Sequence, residues 1–136
     1  MTLWRDRRFL ALSNFLLLIP IGLGVRFYTI PNLAWLNDLL GSVVYEIAWC
    51  LLGFALWPQR QAVYQVPIWV FGLTCVIEFA QLWHPAWLDA IRATLPGRLI
   101  LGNTFVWLDF SHYALGAIAG WLWLKQLWRW SRNKRP

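Results

Sequence analysis

Charged residues are scarce in this sequence, at 13% of 136 positions. Soluble domains carry nearer a quarter, so the chain lacks the usual means of wetting its surface. Cysteine is scarcer still. Cys50 and Cys75 both fall inside apolar runs, which excludes a disulfide framework or a zinc spacing and leaves small apolar packing as their role. The sequence has no metal motif, no nucleophile elbow and no phosphate loop. It also lacks low-complexity segments, a soluble domain and a convincing internal repeat. His84 and His112 are its only histidines. His84 stands directly before Pro85, a poor position for an axial haem ligand, so no cofactor and no metal are expected.

What the chain has instead is apolar length. Sixty per cent of its residues are hydrophobic, and the mean hydropathy is +0.49. A bilayer crossing takes about 20 such residues, and runs of that size recur at roughly 9–28, 39–57, 66–83 and 104–128. The pattern predicts an all-α, polytopic membrane protein: one transmembrane domain over 1–136, folded as a bundle of four transmembrane helices. Pro20 interrupts the first run instead of marking its end, which favours a retained span over a cleaved signal peptide.

Charge orients the bundle. Arg5, Arg7 and Arg8 precede the first span, and a basic tail over 129–136 follows the last. Basic residues gather on the cytoplasmic side, so both termini are expected there, which four spans permit. Nine lysines and arginines then lie inside, and Arg26, Arg92 and Arg98 lie outside. The net charge of +6 needs no nucleic acid, because anionic lipid head groups meet it. Tryptophan agrees with this layout. Trp4, Trp57, Trp69, Trp128 and Trp130 fall at inner ends of spans, and Trp35, Trp83, Trp87 and Trp107 at outer ends, as interfacial anchors do. Trp49 alone sits mid-span.

The connections are short except for the one between the third and fourth spans, HPAWLDAIRATLPGRLILGN. Trp87, Leu88, Ile91 and Leu95 recur there at helical spacing, with Asp89 and Arg92 on the other side. That predicts a short helix lying in the interface, opened by Pro85 and ended by Pro96-Gly97, with a turn at Gly102-Asn103.

Ionisable residues inside the spans cost a few kcal/mol each and tend to carry function. Glu46, Glu78 and Asp109 come from three different spans. Counted from the outer ends at about 1.5 Å per residue, all three lie roughly 8–11 Å deep in one leaflet. Thr74, Glu78 and Gln81 share one helical face, as do Ser42, Glu46, Trp49 and Gly53. Asp109, His112, Tyr113, Gly116 and Gly120 form a stripe on the fourth span, where the last two make a small-xxx-small seam for close helix approach. A polar residue in a span can simply bond a neighbouring helix, for about 0.6 kcal/mol on average. Three carboxyl groups beneath Arg92 and Arg98 exceed that need. The expected ligand-binding set is therefore Glu46, Glu78, Gln81, Arg92, Arg98, Asp109, His112 and Tyr113. Gly116 and Gly120 pack the helices.

The segments IEFAQLW at 77–83, IRAT at 91–94, GRLILG at 97–102 and FVWLDFSHYALGAIAG at 105–120 resemble a bacterial family, domain of unknown function 2809. That family is similar to the wider VanZ-like superfamily of small membrane proteins. The resemblance falls on Glu78, Gln81, Arg92, Gly97, Asp109, Tyr113 and Gly116. It departs at His112-Tyr113, where the superfamily commonly has an asparagine a turn after the aspartate. The superfamily is associated with tolerance to a lipoglycopeptide antibiotic that acts on cell-wall precursors at the outer leaflet. The resemblance thus implies a bacterial cytoplasmic-membrane protein with a polar site facing outward.

Membrane lipids, a lipid-linked envelope precursor and other membrane proteins are the partners this reading admits. Its leading function is binding of a polar head group. The alternatives are an assembly subunit of a larger membrane complex and a proton or ion transfer protein. The latter is disfavoured because the inner half of the spans carries almost no ionisable group.

Overall fold

The structure is a computed structural model that describes residues 2–102 and 104–133, with side chains from residue 5 onward. Trp4, the Asn103 half of the expected turn, and Lys134 and Arg135 of the basic tail lie outside those descriptions. Six helices follow one another, and there is no strand among the described residues: α1 (Thr2–Phe27), α2 (Ala34–Leu56), α3 (Ala62–Ala80), α4 (Ala86–Ala93), α5 (Leu95–Leu101) and α6 (Leu108–Asn133). The protein is all-α.

Three helices are long and apolar enough to cross a membrane: Arg5–Phe27 within α1, then α2 and α3. The fourth expected span, α6, has the length, at 26 residues, but is not among them. Asp109 at one end and Lys125, Arg129 and Arg132 at the other dilute its apolar middle. Some helix ends overrun the expected spans, because a helix continues where polar residues still bond along the backbone, whereas α3 stops at Ala80 and α6 starts at Leu108, inside them. α1 takes in the basic N-terminal residues, α2 begins at Ala34, and α6 carries the basic residues through Arg132.

α2 and α6 pack along each other, and α1 and α3 each pack against both. The apolar core runs through Leu18, Leu51, Phe54, Val66 and Leu124. The outer surface is as apolar as the core: Leu17, Ile68 and Val76 are each more than 60% exposed. Glu46 and Glu78, in contrast, are completely buried. Such a distribution in water would leave a wide apolar patch unmet. It suits a chain whose surroundings are hydrocarbon.

Small residues bring the helices together. A Cβ on Gly116 would stand 2.6 Å from Glu46 Cβ and 3.2 Å from Val43 Cα, and one on Gly120 would stand 2.7 Å from Cys50 Sγ. The seam of α6 therefore lies directly on α2. Gly53 receives Val66 of α3 in the same manner.

At one end of the bundle the first and last helices meet. Arg7 Nε donates to Ser131 Oγ at 3.1 Å, and its guanidinium lies 3.6 Å from the Trp128 ring centroid. Further along, Trp123 Nε1 donates to Asn14 Oδ1 at 3.3 Å. The chain turns between α1 and α2 through Asn32, which takes φ +62°, a region asparagine tolerates better than most residues. Asn37 then closes the turn. Its amide donates to the carbonyls of Val25 and Tyr28 and accepts from the Ile30 N–H, so carbonyls at the end of α1 are met without water.

The long connection holds two helices where one was expected. Pro96-Gly97 begins α5 as well as ending α4, because Thr94 accepts the Gly97 N–H at 3.2 Å and proline suits a first turn. The face that α4 buries also differs. Leu88 and Arg92 point inward, four residues apart, while Trp87 and Ile91 are exposed. The reason is that Arg92 finds carbonyls to bond beneath it.

Candidate functional site

The end of the bundle opposite the Arg7–Ser131 contact gathers the polar residues. Thr74 and Glu78 of α3 and Gln81 at its C-terminal cap fall on one face, and each meets a different part of the chain. The Thr74 hydroxyl bonds the Glu46 carboxyl of α2 and stays within reach of the Val70 and Phe71 carbonyls of its own helix. The Glu78 carboxyl accepts the Val106 backbone N–H at 2.8 Å on Oε1 and the Tyr113 hydroxyl at 3.1 Å on Oε2. Gln81 Nε2 donates to the Leu101 carbonyl at 2.7 Å.

α6 supplies Asp109, whose carboxyl lies against that of Glu78, and His112, whose Nδ1 is 3.6 Å from Asp109 Oδ1. Asp109 occupies the first turn of α6 instead of lying five residues inside a span. There the unpaired N–H groups and the helix dipole favour negative charge. Glu46 moves the other way. Because α2 begins at Ala34, Glu46 lies roughly 18 Å along the helix, near its middle, and not in a shallow layer with the other two acids. The three carboxyl groups form a column: Asp109 and Glu78 sit at the end, and Glu46 one turn deeper beside Thr74.

Three side chains around this column hold backbone groups of Ile100, Leu101 and Val106. Tyr45 Oη donates to the Ile100 carbonyl at 2.6 Å, Gln81 holds Leu101, and Glu78 holds Val106. Gly102 passes against the Gln81 amide with φ +68°, where a side chain would be strained and would collide. Tyr45 was not among the expected site residues. A signal for it existed, since Tyr45 stands at helical spacing from both Ser42 and Trp49, and its ring packs edge-on to Trp49 and near Tyr113. The backbone partners Ile100, Leu101 and Val106 had no sequence signal.

The arginines divide. Arg92 is buried, with Nη2 on the Ala80 carbonyl at 2.7 Å and Nη1 on the Trp83 carbonyl at 2.8 Å. It thereby satisfies carbonyls at the end of α3, where a cation is favoured. Asp89 adds a contact at 3.3 Å. Arg98 is exposed on α5. It lines an open cleft with His84, Asp89, Arg92 and Ala93.

Five buried side-chain atoms have no hydrogen-bond partner among the described residues: Glu46 Oε2, Gln81 Oε1, Arg92 Nε, His112 Nδ1 and Trp121 Nε1. Four belong to residues the sequence singled out for binding. Native interiors leave few such groups.

No solved structure matches the chain. A family model described as "Protein of unknown function (DUF2809)" matches residues 32–117, which takes in Tyr45, the carboxyl column, both arginines and Gly116. The chain belongs to this family.

Proposed function

We propose that this is a four-span protein of the bacterial cytoplasmic membrane, of the VanZ-like type, that binds the polar head group of an amphiphile at its outward end. The amphiphile is a membrane lipid or a lipid-linked envelope precursor. In this arrangement α6 is the fourth span, both termini are cytoplasmic, and α4 with α5 lies at the outer interface. The exposed Trp83, Trp87 and Trp107 would stand at the head-group level there, as amphipathic rings prefer.

One observation carries the reading. Four of the five unpartnered buried polar atoms fall on Glu46, Gln81, Arg92 and His112, around a column that already contains Glu78, Asp109 and Tyr113. A ligand rich in hydroxyl or amide groups would meet that unspent capacity. A helix-packing role would not require it. The backbone at Ile100, Leu101 and Val106, which Tyr45, Gln81 and Glu78 hold, borders the place where such a ligand would enter, while an acyl tail lies along the apolar outer face.

Native mass spectrometry of the protein released from mild detergent, beside Asp109→Asn, tests this. The expected result is a discrete lipid or precursor mass on the wild type that is lost from a folded variant. A wild type carrying only a protein partner would overturn head-group binding in favour of an assembly role. An Asp109→Asn chain that fails to fold would make Asp109 a structural pairing group.

A further inference from the structure

Beside the carboxyl column, the α4–α5 connection encloses an open cleft of about 320 Å³ lined by His84, Asp89, Arg92, Ala93 and Arg98. Two guanidinium groups and an imidazole face one carboxylate, so the cleft is net positive. That carboxylate is already engaged. Asp89 Oδ1 meets His84 Nδ1 at 3.2 Å and Arg92 Nη1 at 3.3 Å. A carboxylate only accepts, so the hydrogen in the first contact is on His84 Nδ1, and the imidazole is held in place through it.

Arg92 is fixed more firmly. It is 4% exposed, both of its terminal nitrogens are bonded, and its Nε has no partner. A guanidinium already immobilised loses little freedom when an anion arrives. Arg98 supplies a second guanidinium from α5, exposed at the mouth of the cleft.

We propose that this cleft is a phosphate-binding subsite, with Arg98 as its exposed charged donor, the fixed Arg92 guanidinium as a second positive charge in its wall, and Asp89 positioning both His84 and Arg92. Phosphate fits better than a carboxylate. Its oxygens point in several directions and can meet positive charges that come from α4 and α5 at once, and guanidinium groups match its geometry. The proposal deepens the head-group reading and rests on it: the phosphate is the anionic part of the amphiphile, and the carboxyl column takes the neutral polar part. Inorganic phosphate shares the same recognition chemistry, and the test separates the two sources.

The full chain in mild detergent is titrated with phosphatidic acid, with the phosphate-free diacylglycerol and with inorganic phosphate, and adducts are read by native mass spectrometry. Wild type is expected to retain phosphatidic acid about tenfold better than diacylglycerol. Arg98→Gln and His84→Gln should abolish that preference without lowering the unfolding temperature, since both side chains are exposed. Inorganic phosphate that binds alone and displaces phosphatidic acid would identify a free-phosphate site. Failure to displace it would identify a lipid-borne phosphate. Equal retention of the two lipids by wild type, or a preference that survives Arg98→Gln, overturns the subsite. Asp109→Asn reports on the head-group reading separately: it should lose the co-purified amphiphile yet keep the phosphatidic acid preference.

Discussion

The two ends of the bundle use polar residues differently. At the end where the termini meet, Arg7 bonds Ser131 and stacks on Trp128, and Ser131 bonds back to the Trp128 carbonyl. Each group has a partner and the result is a clasp between α1 and α6. At the opposite end, Glu46, Gln81 and Arg92 each keep a buried atom without a hydrogen bond, and His112 Nδ1 has the Asp109 carboxyl no nearer than 3.6 Å, while Glu78 and Tyr45 bond the backbone of Val106 and Ile100. Hydrogen bonding that stops at satisfaction is structural. Hydrogen bonding left over in a dry interior points to something that binds.

Substitutions at the two ends should separate these roles. The largest effect is expected between them, on the seam. Gly116→Val puts a branched side chain where even a Cβ meets Glu46 and the α2 backbone. It should cost about 1–3 kcal/mol or prevent folding, read as a lower thermal unfolding midpoint in detergent. At the clasp, Arg7→Met removes a cation–π contact and a buried hydrogen bond and should cost up to about 2 kcal/mol. Equal stability with wild type would show that the clasp does not hold α1 to α6.

At the opposite end, Tyr113→Phe takes one donor from Glu78 and should cost about 1 kcal/mol. It should also loosen the backbone at Val106, visible as faster hydrogen exchange at its amide, which shares the same carboxyl group. An unchanged exchange rate would mean that Val106 alone holds Glu78. The smallest stability effect belongs to Arg98→Gln, within about 0.5 kcal/mol of wild type, although the same change should remove the phosphate preference. A large loss of stability there would make Arg98 a packing residue.

Much of this arrangement was legible beforehand because it follows from periodicity. The apolar runs, the face shared by Thr74, Glu78 and Gln81, and the Gly116–Gly120 seam are all spacings along one helix, and spacing is visible in a chain read alone. Helix ends were less legible. α2 begins at Ala34 with no side-chain cap, so nothing at the sequence level marks its start, and Glu46 lies nearer the middle of its helix than the apolar run suggests. α6 begins at Leu108, after a segment that looks continuous with it by hydropathy, and Asp109 stands in its first turn and not five residues inside it. Arg92 was misplaced for another reason. Amphipathic spacing puts it on the polar side of α4, but carbonyls at the end of α3 offer it better partners than the surface does.

The sequence by itself determined that this chain is helical, that at least three of its helices suit a bilayer, and that α6 can come close to a neighbour. These properties depend on side-chain polarity and size repeated every three to four residues. Only the tertiary structure decided which groups meet: Glu78 with a backbone N–H 28 residues away, Tyr45 with a carbonyl 55 residues away, and Arg7 with Ser131 across nearly the whole chain. Hydrogen bonds are short and directional, so a partner is chosen by where the backbone passes, and that is known only once the helices have packed.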